Sequence, residues 1–497
     1  MMKTGKPCIA ALDVGTSSVK VCLFTPKMEL ICRSVQEYAI DARGSRVEAA
    51  GERYLNAVCN GMKDALGKAE GYEIAAIGVT TQGETFAPVD ESGKPLRPFI
   101  VWLDDRAGEQ AEKLKQCLPE MEFYRTTGLP EISGALPLAK LRWLREKEPE
   151  IYEKAYKFLL VEDYLLFQLT GRFVSEKALQ TSTGWFDLSS DGLWEKGLAA
   201  AGIDPDKLPE ILECGEKVGP LTESAAKMLG LAPGIPVVTG AMDQTAAALA
   251  GGCTKPGTVT ETTGSALVLA ACTDRPAFAE GHHVTIYRHA LPGKFIYLPI
   301  GNTGGMALKW FRDQFCKDLP GGEAGFNAIN EMVSRIPAGC EGLTFLPFLS
   351  GSVDPDSCPE ATGCFFGARL SSTRGHFARA VMESIANLLR DFFEMLQELG
   401  CPVREVYSLG GGSRSPQWLQ IKADVCNRSF RALKTSEATA MGAAILAGWG
   451  AGIIEHGTIP EIDSAGGCEP GGDNREAYEN GYARYKKLYR AVKPLYE

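Results

Sequence analysis

The feature that most constrains the fold is a short hydroxylated turn that occurs twice, once in each half of the chain. Residues 13–18 (DVGTSS) connect two apolar runs of strand length. Residues 258–266 (TVTETTGSA) lead into a further apolar run in the same way. Each copy predicts a β-hairpin, because Gly15 and Gly264 permit a tight turn between two strands. We therefore expect two similar domains, one built around each hairpin.

The length of the chain also favours two domains. With 497 residues it exceeds what one hydrophobic core usually organises. We place the junction near the glycines at 251–252 and predict domains at residues 1–250 and 251–497. In the second half, apolar residues recur every three or four positions over 373–399, which predicts a long core helix.

The first turn carries groups that suit a phosphate and a divalent cation. Thr16 and Ser17 offer hydroxyl and amide donors to phosphate oxygens. Asp13 accepts hydrogen bonds when ionised and suits a hydrated Mg²⁺. The chain has no Walker A sequence, so this is not a P-loop. A turn of this composition is also common in ordinary hairpins, so the turn alone leaves a structural role open.

A third glycine cluster lies in the last quarter of the chain. Residues 410–413 (GGGS) follow a mostly apolar run and precede Ser415 and Pro416, which are a helix cap and a first-turn proline. Gly411 and Gly412 would let the backbone approach a flat ligand closely.

Asp243 and Gln244 stand where a predicted strand, residues 236–239, passes into a predicted helix. The carboxyl ends of strands are where open α/β sheets present their ligands. In a phosphotransferase such an aspartate accepts the proton of an attacking hydroxyl, and the amide orients a substrate oxygen. The alternative is that Asp243 only caps the helix.

Two further strand ends carry polar and aromatic residues. Gln82 and Glu84 follow the strand that ends at residue 79. Trp102 ends the predicted strand 99–102, and Asp104 follows it. A polyhydroxylated ligand packs its apolar face on an aromatic ring and offers its hydroxyls to fixed donors and acceptors. The alternative is a surface ion pair beside a half-buried tryptophan.

Charge and cysteine usage limit the partners and the compartment. A net charge of −10 argues against nucleic-acid binding, which needs a basic face. The 15 cysteines form no C-x-x-C pair, which favours the reducing cytoplasm over a disulfide framework or a zinc ribbon. We expect no signal peptide, since the first residues pass directly into a strand pattern. The longest nearly apolar stretch, residues 441–454, is too short to span a bilayer, so no membrane role is expected.

Taken in order, these motifs resemble the FGGY family of carbohydrate kinases, within the superfamily of actin-like ATPases. The resemblance runs through residues 12–17 (LDVGTS), 93–98 (GKPLRP), 102–106 (WLDDR), 240–244 (GAMDQ), 263–265 (TGS), 345–351 (FLPFLSG) and 410–418 (GGGSRSPQW). It implies two ribonuclease-H-like α/β domains that face a central cleft.

The resemblance also implies roles for the motif residues. ATP with Mg²⁺ would bind mostly to the second domain, and a sugar or polyol mostly to the first. Asp243 would be the general base toward a primary hydroxyl, and Asp13 would lie near the hydrated Mg²⁺. The remaining implied contacts are with the nucleotide at Thr16, Ser17, Gly264, Ser265, Gly411 and Gly412, and with the substrate at Gln82, Glu84, Trp102, Asp104 and Gln244.

The substrate stays open between several small molecules. Glu84 resembles the Gln-Arg-Glu pattern of glycerol kinases, but Gly83 stands where those enzymes carry arginine. The missing side chain is expected to enlarge the pocket, which favours a ketopentose such as xylulose over glycerol. Glycerol, tetritols and pentitols remain as alternatives. A different class, a non-catalytic nucleotide switch or chaperone-like ATPase, is disfavoured by the retained Asp243 and Trp102. A homodimer is possible from the family alone.

Overall fold

The computed structural model describes residues 5–279, 281, 283–435, 437–459 and 464–496. The chain forms two compact units. The first comprises Met1–Ala250, Thr285–Phe295 and Glu437–Glu461, and the second comprises Gly251–Val284, Ile296–Ser436 and Ile462–Glu497. This division differs from the sequence-based one in two segments after residue 251 that pack with the first unit.

The chain up to residue 250 contains both strands and helices. The strands are β1 (Lys6–Val14), β2 (Ser18–Phe24), β3 (Leu30–Glu37), β4 (Asp41–Arg43), β5 (Arg46–Ala49), β6 (Tyr72–Thr81), β7 (Phe86–Val89), β8 (Phe99–Ile100), β9 (Lys157–Leu160), β10 (Val174–Glu176), β11 (Phe186–Asp187), β12 (Gly192–Leu193), β13 (Glu210–Leu212), β14 (Lys217–Pro220) and β15 (Pro236–Val238). The helices are α1 (Gly51–Lys68), α2 (Gly108–Lys115), α3 (Glu120–Thr127), α4 (Pro137–Lys147), α5 (Pro149–Lys154), α6 (Val161–Thr170), α7 (Lys177–Gln180), α8 (Glu195–Ala201), α9 (Glu223–Leu229) and α10 (Asp243–Ala250).

The later part of the chain is also a mixture of strands and helices. Its strands are β16 (Thr258–Thr263), β17 (Leu267–Thr273), β18 (Ile286–Arg288), β19 (Phe295–Tyr297), β20 (Ile300–Gly301), β21 (Thr344–Leu346), β22 (Cys364–Phe366), β23 (Glu405–Leu409), β24 (Ser429–Leu433) and β25 (Ser464–Cys468). Its helices are α11 (Gly305–Phe315), α12 (Gly322–Ser334), α13 (Arg374–Glu398), α14 (Pro416–Cys426), α15 (Ala438–Gly450) and α16 (Arg475–Val492). None of the helices in the described ranges is long and apolar enough to cross a membrane.

The first unit is built on a mixed sheet with the order β14-β15-β6-β1-β2-β3. Strand β1 pairs antiparallel with β2 and parallel with β6, and β6 pairs parallel with β15. The predicted first hairpin is confirmed, with the Gly15 amide donating to the Ser18 carbonyl at 3.0 Å. Because β1 is central, its residues from Cys8 to Val14 are buried on both faces, which explains their nearly unbroken apolar sequence.

Helix α15 belongs to the first unit because it packs closely on β1, β6 and α10. A Cβ at Gly78 of β6 would lie 2.4 Å from the Ala443 carbonyl oxygen. A Cβ at Gly442 would lie 2.1 Å from the carbonyl oxygen of Ala246 in α10. Two glycines therefore allow the backbones to approach closely, and any side chain at either position would displace the helix.

The second unit repeats the connection pattern of the first. Its sheet has the order β19-β17-β16-β23-β24-β25. Strand β16 pairs antiparallel with β17 and parallel with β23, which pairs parallel with β24. The predicted second hairpin is confirmed, and the Gly264 amide donates to the Ala266 carbonyl at 3.0 Å. Each unit thus has a central hairpin followed by two parallel strands.

Helix α13 confirms the predicted core helix. It extends from Arg374 to Glu398, with Thr373 as the residue before its first turn. Residues Val381 to Leu396 of the predicted stripe are buried, while Phe377 is only partly buried.

Candidate active site

Asp243 is the first residue of α10, directly after the turn that follows β15. It is therefore a helical residue, and its side chain is partly buried and hydrogen-bonded to Gln244. Burial raises the pKa of Asp243 to about 7, the negative charge of Asp13 adds to this shift, and the Gln244 hydrogen bonds oppose it. A carboxylate with a pKa near neutrality is suited to accept a proton at physiological pH.

Asp13 lies near the end of β1, opposite Lys20 of β2. Its side chain is buried, and the Lys20 ammonium lies 3.3 Å from Asp13 Oδ2. Lys20 also lies 3.6 Å from Glu437 Oε2. Burial raises the pKa of Asp13, whereas the charge and hydrogen bond of Lys20 lower it. The strand pairing thus places Asp13 and Lys20 beside the hydroxylated turn, and Glu437, which directly precedes α15, brings a second carboxylate to Lys20.

The donors around Asp13 fit a Mg²⁺ that arrives with a nucleotide. In residues 5–279 and the other described ranges, no cluster of three or more His, Cys, Asp or Glu side chains could hold a metal alone. Mg²⁺ is usually held by one or two carboxylates together with waters and substrate phosphates. Asp13, with Asp243 within electrostatic range, supplies that donor set.

Gln82 and Glu84 follow β6 within the same unit. The Gln82 amide is buried beside the Tyr54 hydroxyl, yet neither amide atom makes a hydrogen bond of normal geometry within the described residues. Glu84 has a left-handed backbone, with φ of 63°. Burial raises its pKa to about 7, although the Lys140 ammonium lowers it, and Asp243 adds to the rise. The structure therefore brings Glu84 and Asp243 into one electrostatic group.

Two residues of this group were missed by the sequence analysis. Lys140 of α4 is fully buried, and its ammonium donates to the Val101 carbonyl at 2.9 Å. Burial lowers the pKa of Lys140 to about 8, against the opposing effect of Glu84. Tyr287 of β18 is buried within range of Glu84 and Asp243, and burial together with these charges raises its pKa far above the usual value. Its phenol therefore remains a hydrogen-bond donor, but no sequence motif marked either residue.

Trp102 keeps an accessible ring, with 40% of the residue exposed. Its indole donates to the Thr16 hydroxyl at 2.9 Å, so the tryptophan and the first hairpin turn are in contact. Ser17, next to Thr16, is exposed. The predicted sugar-stacking and phosphate-binding residues of the first unit are thus neighbours.

Asp104 differs from the sequence expectation. Its carboxylate is fully buried, accepts from the Val47 amide at 2.5 Å and takes three hydrogen bonds from Arg106. Although burial raises the pKa of Asp104, the hydrogen bonds from Arg106 and Val47 bring it below the usual range. Because both oxygens are engaged, Asp104 organises the loop that carries Trp102 and is not free to bind a substrate hydroxyl.

Gly83 also differs from its expected effect. A Cβ at this position would lie 2.9 Å from Ser182 Oγ and 3.2 Å from Met242 Sδ. The space that a side chain at position 83 would occupy is therefore already filled by neighbouring atoms. The absence of an arginine does not enlarge the pocket at this position.

The second unit contains a cavity of about 670 Å³ in which the other predicted nucleotide contacts meet. Gly264, Ser265, Gly411 and Gly412 all line it. Further lining residues had no role assigned from the sequence. They are apolar and amide side chains at Met306, Leu308, Phe326, Asn327, Asn330 and Trp418, and charged side chains at Lys309, Glu323 and Arg414. A cavity of this size with an apolar wall and a few polar loops is typical of a small-molecule site.

The two glycine loops of this cavity are in direct contact. A Cβ at Gly412 would lie 2.6 Å from the Cβ of Thr263, so only glycine allows this approach. Ser415 Oγ accepts from the Trp418 amide at 3.1 Å, which confirms the predicted cap of α14. Below the cavity, the Lys422 ammonium lies 2.8 Å from Glu261 and 2.7 Å from the Thr263 hydroxyl.

Comparison with known families and structures identifies the chain. Residues 8–250 match the N-terminal domain of the FGGY family of carbohydrate kinases, and residues 261–451 match the C-terminal domain. The chain belongs to the FGGY family of carbohydrate kinases. It is therefore a phosphotransferase that uses ATP, and the resemblance stated from the motifs is confirmed.

Relatives with two different activities are similar to this chain over nearly its whole length. The gluconokinase of Bacillus subtilis is 28% identical over 91% of this chain and 88% of its own length. The xylulose kinase of Staphylococcus xylosus is 26% identical over 97% of this chain and 99% of its own. The crystal structure of xylulose kinase from Rhodospirillum rubrum, 26% identical, superposes with a TM-score of 0.89 over 98% of this chain and 99% of that one. The predicted fold class is thereby confirmed.

Proposed function

We propose that this kinase transfers the γ-phosphoryl group of ATP to the terminal hydroxyl of a neutral ketopentose such as xylulose. The observation that carries the proposal is the position of Asp243 beside Gln244 and Glu84 in the first unit, with a pKa near 7. The first unit binds the sugar, and the cavity at Gly264 and Gly411 in the second unit binds the nucleotide.

In this proposal the residues of the chain have separate tasks. Asp243 accepts the proton of the attacking hydroxyl, and Gln244 orients the sugar. Trp102 packs on the apolar face of the sugar, while Gln82 and Glu84 bind its hydroxyls. Asp13 holds the hydrated Mg²⁺, which neutralises charge on the transferred phosphoryl group when bound.

The backbone amides of the glycine loops suit the nucleotide. Phosphoryl transfer requires mainly alignment of the groups and stabilisation of charge, and loops rich in glycine present amide donors without side-chain interference. Thr16 and Ser17 in the first unit, and Gly264 and Ser265 in the second, are the residues proposed to contact the phosphates. Gly411 and Gly412 are proposed to contact adenosine.

A neutral sugar is favoured over an aldonate by the charges around Asp243. An aldonate carries a carboxylate that needs a cation with a free coordination direction. Arg106 is engaged by Asp104 and Glu48 through Nε and Nη2, its Nη1 is buried without a partner in the described ranges, and the fully buried Lys140 donates to backbone carbonyls. Asp243 would repel a further carboxylate placed beside it.

We expect kcat/KM for xylulose to exceed that for gluconate by at least about tenfold. A pocket that leaves the gluconate carboxylate without a partner should discriminate strongly against gluconate. The test is ADP release with Mg-ATP across D- and L-ketopentoses, tetritols, pentitols, glycerol and gluconate. The Asp243→Asn variant serves as the control for transfer. Preferred turnover of gluconate would contradict the neutral-sugar assignment and favour the activity named for the gluconokinase relatives.

We also propose that the enzyme works in the reducing cytoplasm. All 15 cysteines are present as free thiols, and most of them are buried. Free buried thiols are usual where glutathione and thioredoxin keep cysteines reduced.

A further inference from the structure

The turn before Asp243 is held by three buried side chains from outside it. Its hydrogen bonds to them run from Gly240 N to Glu162 Oε1 (2.9 Å), from Thr80 Oγ1 to Ala241 O (2.6 Å) and from Met242 N to Glu176 Oε1 (3.0 Å). Three consecutive residues thus have one polar backbone group each bound by a side chain. The three side chains come from α6, β6 and β10, and all are fully buried.

The turn also has no room to shift toward β6. A Cβ at Gly240 would lie 1.6 Å from the Val79 carbonyl oxygen. Backbone therefore lies against backbone on this side, and the three side-chain contacts hold the other polar groups of the turn. The direction of α10, and with it the position of Asp243, follows from this arrangement.

Glu176 accepts four hydrogen bonds, two at each oxygen. Besides the Met242 amide, it accepts from the Ala178 amide at 2.5 Å, from the Leu179 amide at 2.6 Å and from the Cys214 thiol at 2.8 Å. An ionised carboxylate can accept all four, whereas a protonated one would direct a proton at a donor. Burial raises the pKa of Glu176 to about 7 and the nearby buried Asp163 adds to this shift, but the hydrogen bonds from Cys214, Leu179 and Ala178 oppose it. Of the two glutamates that bind the turn, Glu176 is therefore the one whose surroundings suit a charged carboxylate.

Glu162 differs from Glu176 in its surroundings. Its Oε1 accepts from Gly240, but its buried Oε2 has no hydrogen-bond partner within the described ranges. Burial raises the pKa of Glu162 far above the usual value, and the charge of Glu176 adds to this shift. An unpartnered buried oxygen is the site for a proton, because a second buried negative charge would be costly.

We propose that Glu176, as an anion, and Glu162, as a neutral acid, are positioning residues that together with Thr80 fix the turn carrying the general base. This inference rests on the proposed role of Asp243. The buried carboxyls touch neither sugar nor nucleotide; they act through the backbone of residues 240–242. Their loss would misplace Asp243 and lower kcat, while the binding of ATP in the second unit would persist.

The same substitution at the two glutamates tests the assignment. Glu162→Gln keeps an acceptor for Gly240 and resembles the neutral acid, so we expect kcat to fall by less than about threefold. Glu176→Gln turns an amide donor toward two existing donors, and we expect kcat to fall by about a hundredfold, as for a misplacement near 1 Å. KM for ATP should change less than about twofold in both variants. Equal kcat in the two variants would overturn the proposal.

A second pair of variants guards against misfolding of Glu176→Gln. Thr80→Val removes the donor to Ala241 at constant shape, and Thr80→Ser restores it. We expect kcat to fall about tenfold in the valine variant and to recover in the serine variant, with an unchanged KM for ATP. Wild-type kcat in Thr80→Val would overturn the proposal even if the glutamate variants could not be purified.

The control is Glu383→Gln in the second unit. Glu383 is a buried glutamate that also accepts from a backbone amide, that of Gly339 at 3.1 Å, but it lies outside the turn. The Glu383→Gln variant should be less stable than the wild type, but the kcat of its folded fraction should not fall as it does in Glu176→Gln. Wild-type turnover in Asp243→Asn would contradict the proposed function itself. Loss of turnover in Asp243→Asn together with wild-type turnover in Glu176→Gln and Thr80→Val would contradict the positioning role and leave the proposed function standing.

Discussion

Replacing Asp243 by asparagine is expected to lower kcat by about 10²- to 10⁴-fold, the usual contribution of a general base. The amide keeps the shape of the carboxyl group but cannot accept the hydroxyl proton at neutral pH. Because the predicted nucleotide residues of the second unit line a cavity of their own, the affinity for ATP should change little. The measurement is steady-state turnover together with nucleotide titration. A variant that turns over at the wild-type rate would remove Asp243 from this role.

The pH profile follows from the same residue. The proposed base, Asp243, can accept a proton only when ionised, and burial raises its pKa to about 7. The kcat/KM should therefore be constant above this pKa and fall as the pH decreases through it, since protonation removes the base. Glu84 titrates in the same range, with a pKa of about 7. In the Glu84→Gln variant, kcat/KM should still fall as the pH decreases through about 7, because Asp243 is still present. If kcat/KM no longer falls at low pH in this variant, the titrating group is Glu84.

The repeated hairpin allowed the fold to be predicted because its signal is local. Gly15 stands between two apolar runs, and Gly264 stands between a run rich in threonine and an apolar run, so each turn predicts a pair of strands from neighbouring residues alone. The same holds for Ser415 and Pro416, whose capping roles depend on neighbouring residues only. Asp243 was found in this way too, since a strand end followed by a helix start is visible in the sequence.

Contacts between distant segments could not be predicted. Helix α15 is apolar on every side, so its sequence does not indicate which sheet it covers; the contacts of Gly78 and Gly442 decide that. Tyr287 lies in a short strand without a motif and is brought to Asp243 by the fold alone. Asp104 illustrates the reverse case, because its sequence position suggested a ligand while Arg106 already binds it.

The glycine loop at Gly264, which lines the cavity of the second unit, rests on a fully buried ion pair. Lys422 of α14 and Glu261 of β16 are both without solvent exposure, and their charged atoms lie 2.8 Å apart. Glu261 also accepts from the Ser408 hydroxyl at 2.8 Å, and Lys422 donates to Thr263. Thr263 directly precedes the glycine that lines the cavity. The Lys422–Glu261 pair thus binds α14 to β16 of the sheet and also holds Thr263, the residue at the start of the glycine loop.

The Lys422→Met variant is expected to destabilise the second unit by about 3–5 kcal/mol, because it leaves the Glu261 charge buried without its partner. The ATP affinity should fall as well, since Thr263 loses one of its hydrogen bonds. Urea unfolding and nucleotide titration measure the two effects. Adding Glu261→Gln should restore most of the stability, because a neutral amide can still bind the hydroxyls of Ser408 and Thr263. The control is Arg431→Met, at an exposed ion pair with Glu405, which should lower the free energy of unfolding by less than about 1 kcal/mol. An equal loss of stability in Lys422→Met and Arg431→Met would show that burial of the ion pair is not what makes Lys422 important.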